Sequence, residues 1–207
     1  MSGLRGRNGW ERGQGLVEFS FLFPFFILLL VGMLEFGFVF DHLLTIQYAS
    51  REGARVGSAL AHGGGPLGCG AGQSPNAGAV DPLVVAAVTR VLLSPGSRVD
   101  IAEIPQIRIF KADANGNQVG TSVNVWTYSP GAGPTVDGRP LDYSPSSTGW
   151  AACSRSNGYP PDSIGIFLGY TYRMQTALGS VLGFFGGTGS STIAISGQTV
   201  MALNPTD

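Results

Sequence analysis

EFSFLFPFFILLLVGMLEFGFVF, residues 18–40, holds no charge between Phe19 and Leu34, and its only hydroxyl is Ser20. As an α-helix rising ~1.5 Å per residue, Phe19–Phe40 spans about 33 Å, the thickness of a bilayer's hydrocarbon core. A cleaved secretory signal would show an apolar core of roughly 7–15 residues and then a small-x-small site. Here the core is longer, rich in phenylalanine and followed by Asp41-His42-Leu43-Leu44. The segment therefore reads as a retained membrane span. Arg5, Arg7 and Arg12 precede it against Glu11 alone, whereas Asp41 and His42 follow it. The positive-inside rule then keeps the N-terminus in the cytoplasm and translocates everything after about residue 42. Glu18 and Glu35 are costly in such a helix, about 2.5 to 3.5 kcal/mol at the centre and less near an interface, so each calls for a partner. For Glu35 the other reading is solvation at the interface.

Working outward, 207 residues suit one domain plus an appendage, and 43% hydrophobic against 12% charged excludes disorder driven by charge. Twelve basic against thirteen acidic residues and the single lysine, Lys111, leave no basic surface for phosphates, so no nucleic acid is expected as a partner. Two cysteines and two histidines are too few for most zinc sites or nucleophile–base pairs. No metal, no cofactor and no enzymatic activity are expected. Cys69 and Cys153 fall in the translocated part, where an oxidising compartment favours a disulfide closing a loop of about 84 residues, worth roughly 4 to 5 kcal/mol if unstrained. Two independent buried cysteines are the alternative.

Residues 12–19, Arg-Gly-Gln-Gly-Leu-Val-Glu-Phe, set a glycine five positions before a glutamate at the head of the apolar helix. This resembles a class III signal of type IV pilins, in particular the Flp/Tad group. The resemblance implies that Gly13 precedes a peptidase cut, that Gln14 is the mature N-terminus, and that Glu18 and Pro24 are the assembly glutamate and the kink proline. An N-terminal amine can pair with a neighbouring subunit's carboxylate when helices stack with an axial stagger in low dielectric. The other reading of Glu18 is a solvated edge residue. The wider string, Gly15-Leu-Val-Glu-Phe, Pro24, Leu34-Glu-Phe-Gly and Tyr48-Ala-Ser-Arg-Glu-Gly-Ala-Arg55, resembles the TadE-like family. That implies a minor pilin or pilin-like subunit of a tight-adherence pilus, acting in pilus assembly and adhesion. The implied partners are other pilin subunits, the inner-membrane assembly platform, the prepilin peptidase and membrane lipid. The implied location is the inner membrane, N-terminus in and C-terminal domain out, and on assembly the cell surface. A permanently anchored, uncleaved assembly or adhesion factor is the alternative. The family's usual charged tail is replaced here by Met201-Ala-Leu-Asn-Pro205.

Three segments follow: a leader at 1–13, a spanning and emerging helix at 14–62, and a translocated domain at 63–207. Ala49, Gly53 and Gly57 make a small-residue stripe beside Ser50, Ala54 and Ser58, where another backbone can approach closely. Leu43, Leu44 and Ile46 supply bulkier contacts one turn earlier. Arg51 and Arg55 share another face and call for an anionic neighbour: a partner subunit, lipid headgroups or, in the alternative reading, solvent. His62-Gly63-Gly64-Gly65-Pro66 should end the helix.

Beyond a Gly/Pro/Ala linker at 63–81, a helix is expected from Asp81, as its cap, to Leu93. Ile107, Ile109, the turn Asp113–Asn117 and a return from Val119 to Tyr128, with Thr121, Val123 and Val125 on one side, form a hairpin. The same turn only partly mimics a calcium loop, since its sixth position is Gln118 and its twelfth Asn124. Residues 129–163 read as a long surface excursion whose aromatics Tyr143, Trp150 and Tyr159 either contact a surface or pack the loop down. Ile164 to Met174 alternates as a strand, Leu178–Phe185 is an apolar patch too short to span, read as a short helix that dips against the membrane or against the long helix, and Thr192–Leu203 is a last strand. The expected fold is α+β: a long transmembrane helix continuing into an antiparallel sheet of about four strands, pilin-like in plan. Paired carboxylates for hydrolysis, drawn from Asp100, Asp113, Asp137, Asp142 and Asp162, are a remote second function, because these residues sit mostly in turns.

Overall fold

The computed structural model describes residues 10–60, 76–180 and 192–204. The chain divides into two units, one holding the first helix up to Val39 with the segment from Arg173, the other holding that helix from Phe40 with the remaining elements. Helix α1 runs Trp10–Ala59 with Pro24 inside it. The missing proline N–H leaves the Ser20 carbonyl without its usual donor one turn earlier. The glycines and proline expected to stop the helix, and the linker with Cys69, lie outside the described residues apart from its last few positions.

Helix α2 spans Ala77–Leu92, a turn earlier than expected. Asn76, and not Asp81, caps it: Asn76 Oδ1 accepts the Gly78 N–H at 2.9 Å. Asp81 is thereby left to face the domain interior, and Pro82 stands inside the helix. The strands are β1 Gln106–Ala112, β2 Gln118–Tyr128, β3 Thr135–Val136, β4 Arg139–Pro140, β5 Tyr143–Thr148, β6 Ser163–Arg173 and β7 Thr192–Ala202. They form a five-stranded sheet in the order β5-β2-β1-β6-β7 and a small β3-β4 ribbon.

The α+β expectation holds, with a strand more than foreseen. The extra one, β5, comes from the supposed excursion at 129–163 and pairs antiparallel with β2, Tyr128 opposite Tyr143. Tyr143 and Trp150 are buried and only Tyr159 is exposed. Thr121, Val123 and Val125 share one side of β2 as read, and it is the outer one. Register sets Trp126 against Ile107 and Asn124 against Ile109, and these are the buried residues. β6 obeys its alternation, with Ile164, Ile166, Leu168, Tyr170 and Tyr172 all buried. The β1–β2 turn is a hairpin turn whose Asp113 Oδ1 accepts the N–H groups of Asn115 and Asn117 at 2.8 Å. Those bonds, chiefly the one from Asn117, hold its carboxyl below the usual aspartate range.

Buried Tyr143 ties β5 to the turn before β1, its Oη lying 3.1 Å from the carbonyl oxygens of both Ile101 and Ile104. Burial raises its phenol above the ordinary range. Tyr143→Phe leaves the ring in place and removes the donor, so urea unfolding of the detergent-solubilised protein should show a loss of about 1 kcal/mol.

Candidate functional site

The two units place the candidate residues very differently. In the first, the apolar helix is bare: Leu16, Phe19, Phe21, Phe25 and Phe36 are each more than 60% exposed. Soluble monomers rarely show apolar patches beyond roughly 300–600 Å². One helix among the described residues, over Gln14–Ala59, is long and apolar enough to cross a membrane, and only 6% of its most apolar window is buried. That exposure sets it apart from the core helix of a soluble protein.

At its head Gln14 Nε2 donates to Glu18 Oε1 at 3.2 Å, an exposed bond across one turn. Glu18 is exposed. Gly13 lies within α1, as does Gln14. Glu35, by contrast, is only 3% exposed. Its Oε1 accepts the Gln175 N–H and its Oε2 the Thr176 N–H, both at 2.9 Å. Interfacial solvation is therefore not its situation; two backbone donors in the same unit neutralise its cost.

In the second unit the small-residue stripe packs within the chain. A Cβ on Gly53 would come 2.6 Å from Val88 Cγ2 and 3.5 Å from Ile166, and one on Gly57 2.6 Å from Ile164 Cδ1. Ala49 and Ala54 are fully buried in the same face. Gly53→Leu should thus cost about 1 to 3 kcal/mol by overpacking. Gly32→Leu, whose Cβ would meet nothing within 4 Å, should leave urea unfolding unchanged. Leu44, expected as a packing residue, is exposed.

Arg55 finds its anion on its own helix, Nη2 2.6 Å from Glu52 Oε1. That contact raises the Arg55 pKa and lowers that of Glu52. Arg51 lies over the Tyr48 ring, 5.9 Å from its centroid.

The sequence reading missed two buried polar groups. His42, taken only as a flank of the span, is fully buried, its Nε2 3.1 Å from the Arg98 carbonyl and its ring stacked on Tyr170 and edge-on to Tyr172. Arg155 is also buried, its Nη2 2.7 Å from Asp81 Oδ1 and its guanidinium 4.6 Å from the Trp150 ring centroid. Asn124 completes this cluster by donating to Asp81 and to the Trp150 carbonyl, and by accepting the Trp150 N–H at 2.7 Å. A polar residue at an inward strand position was the available signal for Asn124.

The candidate hydrolytic aspartates each do local structural work. Asp100 accepts the Ala102 N–H, and Asp142 accepts the Gly131 N–H. Asp137 pairs with Arg90 at 3.4 Å and Asp162 with Lys111 at 2.7 Å. Asp113 belongs to the hairpin turn described above. Cys153 sits in a short 3-10 turn, Ala152–Ser154, and Cys69 lies outside the described residues.

A bare apolar helix, opened by a carboxylate and continuous with part of an α+β domain, defines the class: a protein with, among the described residues, one helix long and apolar enough to cross a membrane. The model of the TadE-like protein family matches residues 13–55. That stretch contains Gly13, Gln14, Glu18, Pro24, Glu35, Ala49, Arg51, Gly53 and Arg55. The match covers 43 of the 207 residues. No curated protein and no solved structure matches the chain.

Proposed function

We propose that this chain is a minor pilin or pilin-like subunit of a tight-adherence pilus, acting in assembly and adhesion and not as an enzyme. The carrying observation is the exposed apolar surface of α1 within the stretch matched by the TadE-like family. That surface serves lipid while the subunit waits in the inner membrane, N-terminus in, and neighbouring helices once it is assembled. Cutting after Gly13 would free the Gln14 amine to pair with Glu18 of an adjacent subunit. Pro24 would accommodate the bend between packed helices. Gly57 and Arg51 would tune contacts of the emerging helix, and a Cys69–Cys153 bridge would brace the exported domain. The partners are other pilin subunits, the assembly platform, the prepilin peptidase and lipid.

One observation favours a second reading, a permanently anchored and uncleaved assembly or adhesion factor. α1 begins at Trp10 and runs unbroken through residues 13 and 14, so a peptidase needing an extended strand would have to unwind it there. Shearing pili from cells that carry a tagged copy separates the two. The pilin reading expects the tag in the sheared fraction, and recovery only with membranes would overturn it in favour of the anchor.

A further inference from the structure

We propose that Arg173–Ser180 is a re-entrant membrane segment held at depth by Glu35. The proposal rests on the reading that Phe19–Phe40 crosses the bilayer. Arg173 ends β6, and from there to Asp207 the sequence holds no charged residue. The first residues past Arg173 meet α1 at Glu35, whose two carboxylate oxygens take the Gln175 and Thr176 N–H groups. The next two go deeper. Ala177 and Leu178 share an apolar groove of about 450 Å³ with Phe25, Leu28 and Val31. Those helix residues precede Glu35 by four to ten positions, so at ~1.5 Å per residue they lie about 6 to 15 Å further along the axis. With the span centred near Leu29, that depth is the middle of the hydrocarbon.

The chain is non-helical from Met174 to Ala177 and turns helical at Leu178, and non-helical backbone persists inside the bilayer only where the protein itself satisfies the N–H groups. Glu35 does this for two consecutive residues, and Thr176 Oγ1 accepts the Leu178 N–H at 3.3 Å. A carboxylate in the apolar helix thus acts as a double acceptor that lets a second stretch of chain enter the bilayer. Glu35 is a positioning residue, and the partner of the segment is lipid acyl chain.

The test uses the full chain in phosphatidylcholine vesicles containing acyl-chain spin-labelled lipid. Leu178→Cys, Phe25→Cys and Tyr159→Cys variants carry an environment-sensitive fluorophore, and the unsubstituted protein treated alike serves as the blank. Quenching at positions 178 and 25 should exceed that at 159, which is fully exposed in the exported domain, by about threefold or more. Quenching at 25 with position 178 behaving like 159 would overturn the re-entrant segment while sustaining the span. Absence of quenching at both would overturn the span and the segment together. Adding Glu35→Gln, which keeps one acceptor and loses the other, should at least halve quenching at 178 and leave that at 25 unchanged. Unaltered quenching at 178 would remove Glu35 from its positioning role.

Discussion

Asp81→Ala should lower the unfolding free energy by about 3 to 5 kcal/mol, because it strips the counter-charge from a buried guanidinium. The Arg155 side chain is 0% exposed and that of Asp81 14%, with 2.7 Å between Nη2 and Oδ1. The pair is close but not aligned as a hydrogen bond, and among the described residues Arg155 Nε and Nη1 have no hydrogen-bond partner. Removing Asp81 leaves Arg155 with the Trp150 carbonyl at 3.3 Å and that residue's ring. Neither carries a full negative charge. Domains hold only about 5 to 15 kcal/mol in total, so the variant should sit near the folding threshold. Pairing Asp81→Leu with Arg155→Met removes both charges and should recover most of the loss. Urea unfolding of the full chain in detergent reads all three proteins. A loss under about 1 kcal/mol for Asp81→Ala would show that solvent already reaches the arginine.

Glu18→Ala should leave membrane insertion intact and reduce incorporation into pili at least about tenfold, a coupling of roughly 1.4 kcal/mol or more per subunit contact. Removing a carboxylate from the edge of an apolar helix makes that helix easier to insert. Among the described residues Glu18 takes an exposed side-chain bond from Gln14 at Oε1, which leaves Oε2 for an intersubunit amine. Immunoblots of membrane and sheared-pilus fractions measure both quantities. Normal incorporation of the alanine variant would contradict the proposed pairing.

What the sequence showed and hid follows from how far each feature depends on distant residues. The apolar helix, the β1–β2 turn and the alternation of β6 are local patterns, and they are present as read. β5 was hidden because Tyr143-Ser-Pro-Ser-Ser-Thr148 is poor in strand formers; it is a strand because β2 offers it an edge. Its burial of Tyr143 likewise depends on two carbonyls about 40 residues earlier. Asp81 and Asn76 are both good caps, and what separates them is that Asp81 is claimed by Arg155. In the candidate site Glu18 and Glu35 were both legible as costly carboxylates. The Glu35 partners lie 140 and 141 positions away, beyond any local pattern. The small-residue stripe was legible too, but spacing alone does not say that its neighbours are Val88, Ile164 and Ile166 of the same chain.

Alkaline carbonate extraction, combined with protease access to a tag after Asp207 in intact spheroplasts, tests the membrane-spanning helix most directly. The expected outcome is a chain that stays with the membrane pellet and a tag that is digested from outside. A chain released by carbonate, or a tag digested only after lysis, would contradict the span and its orientation.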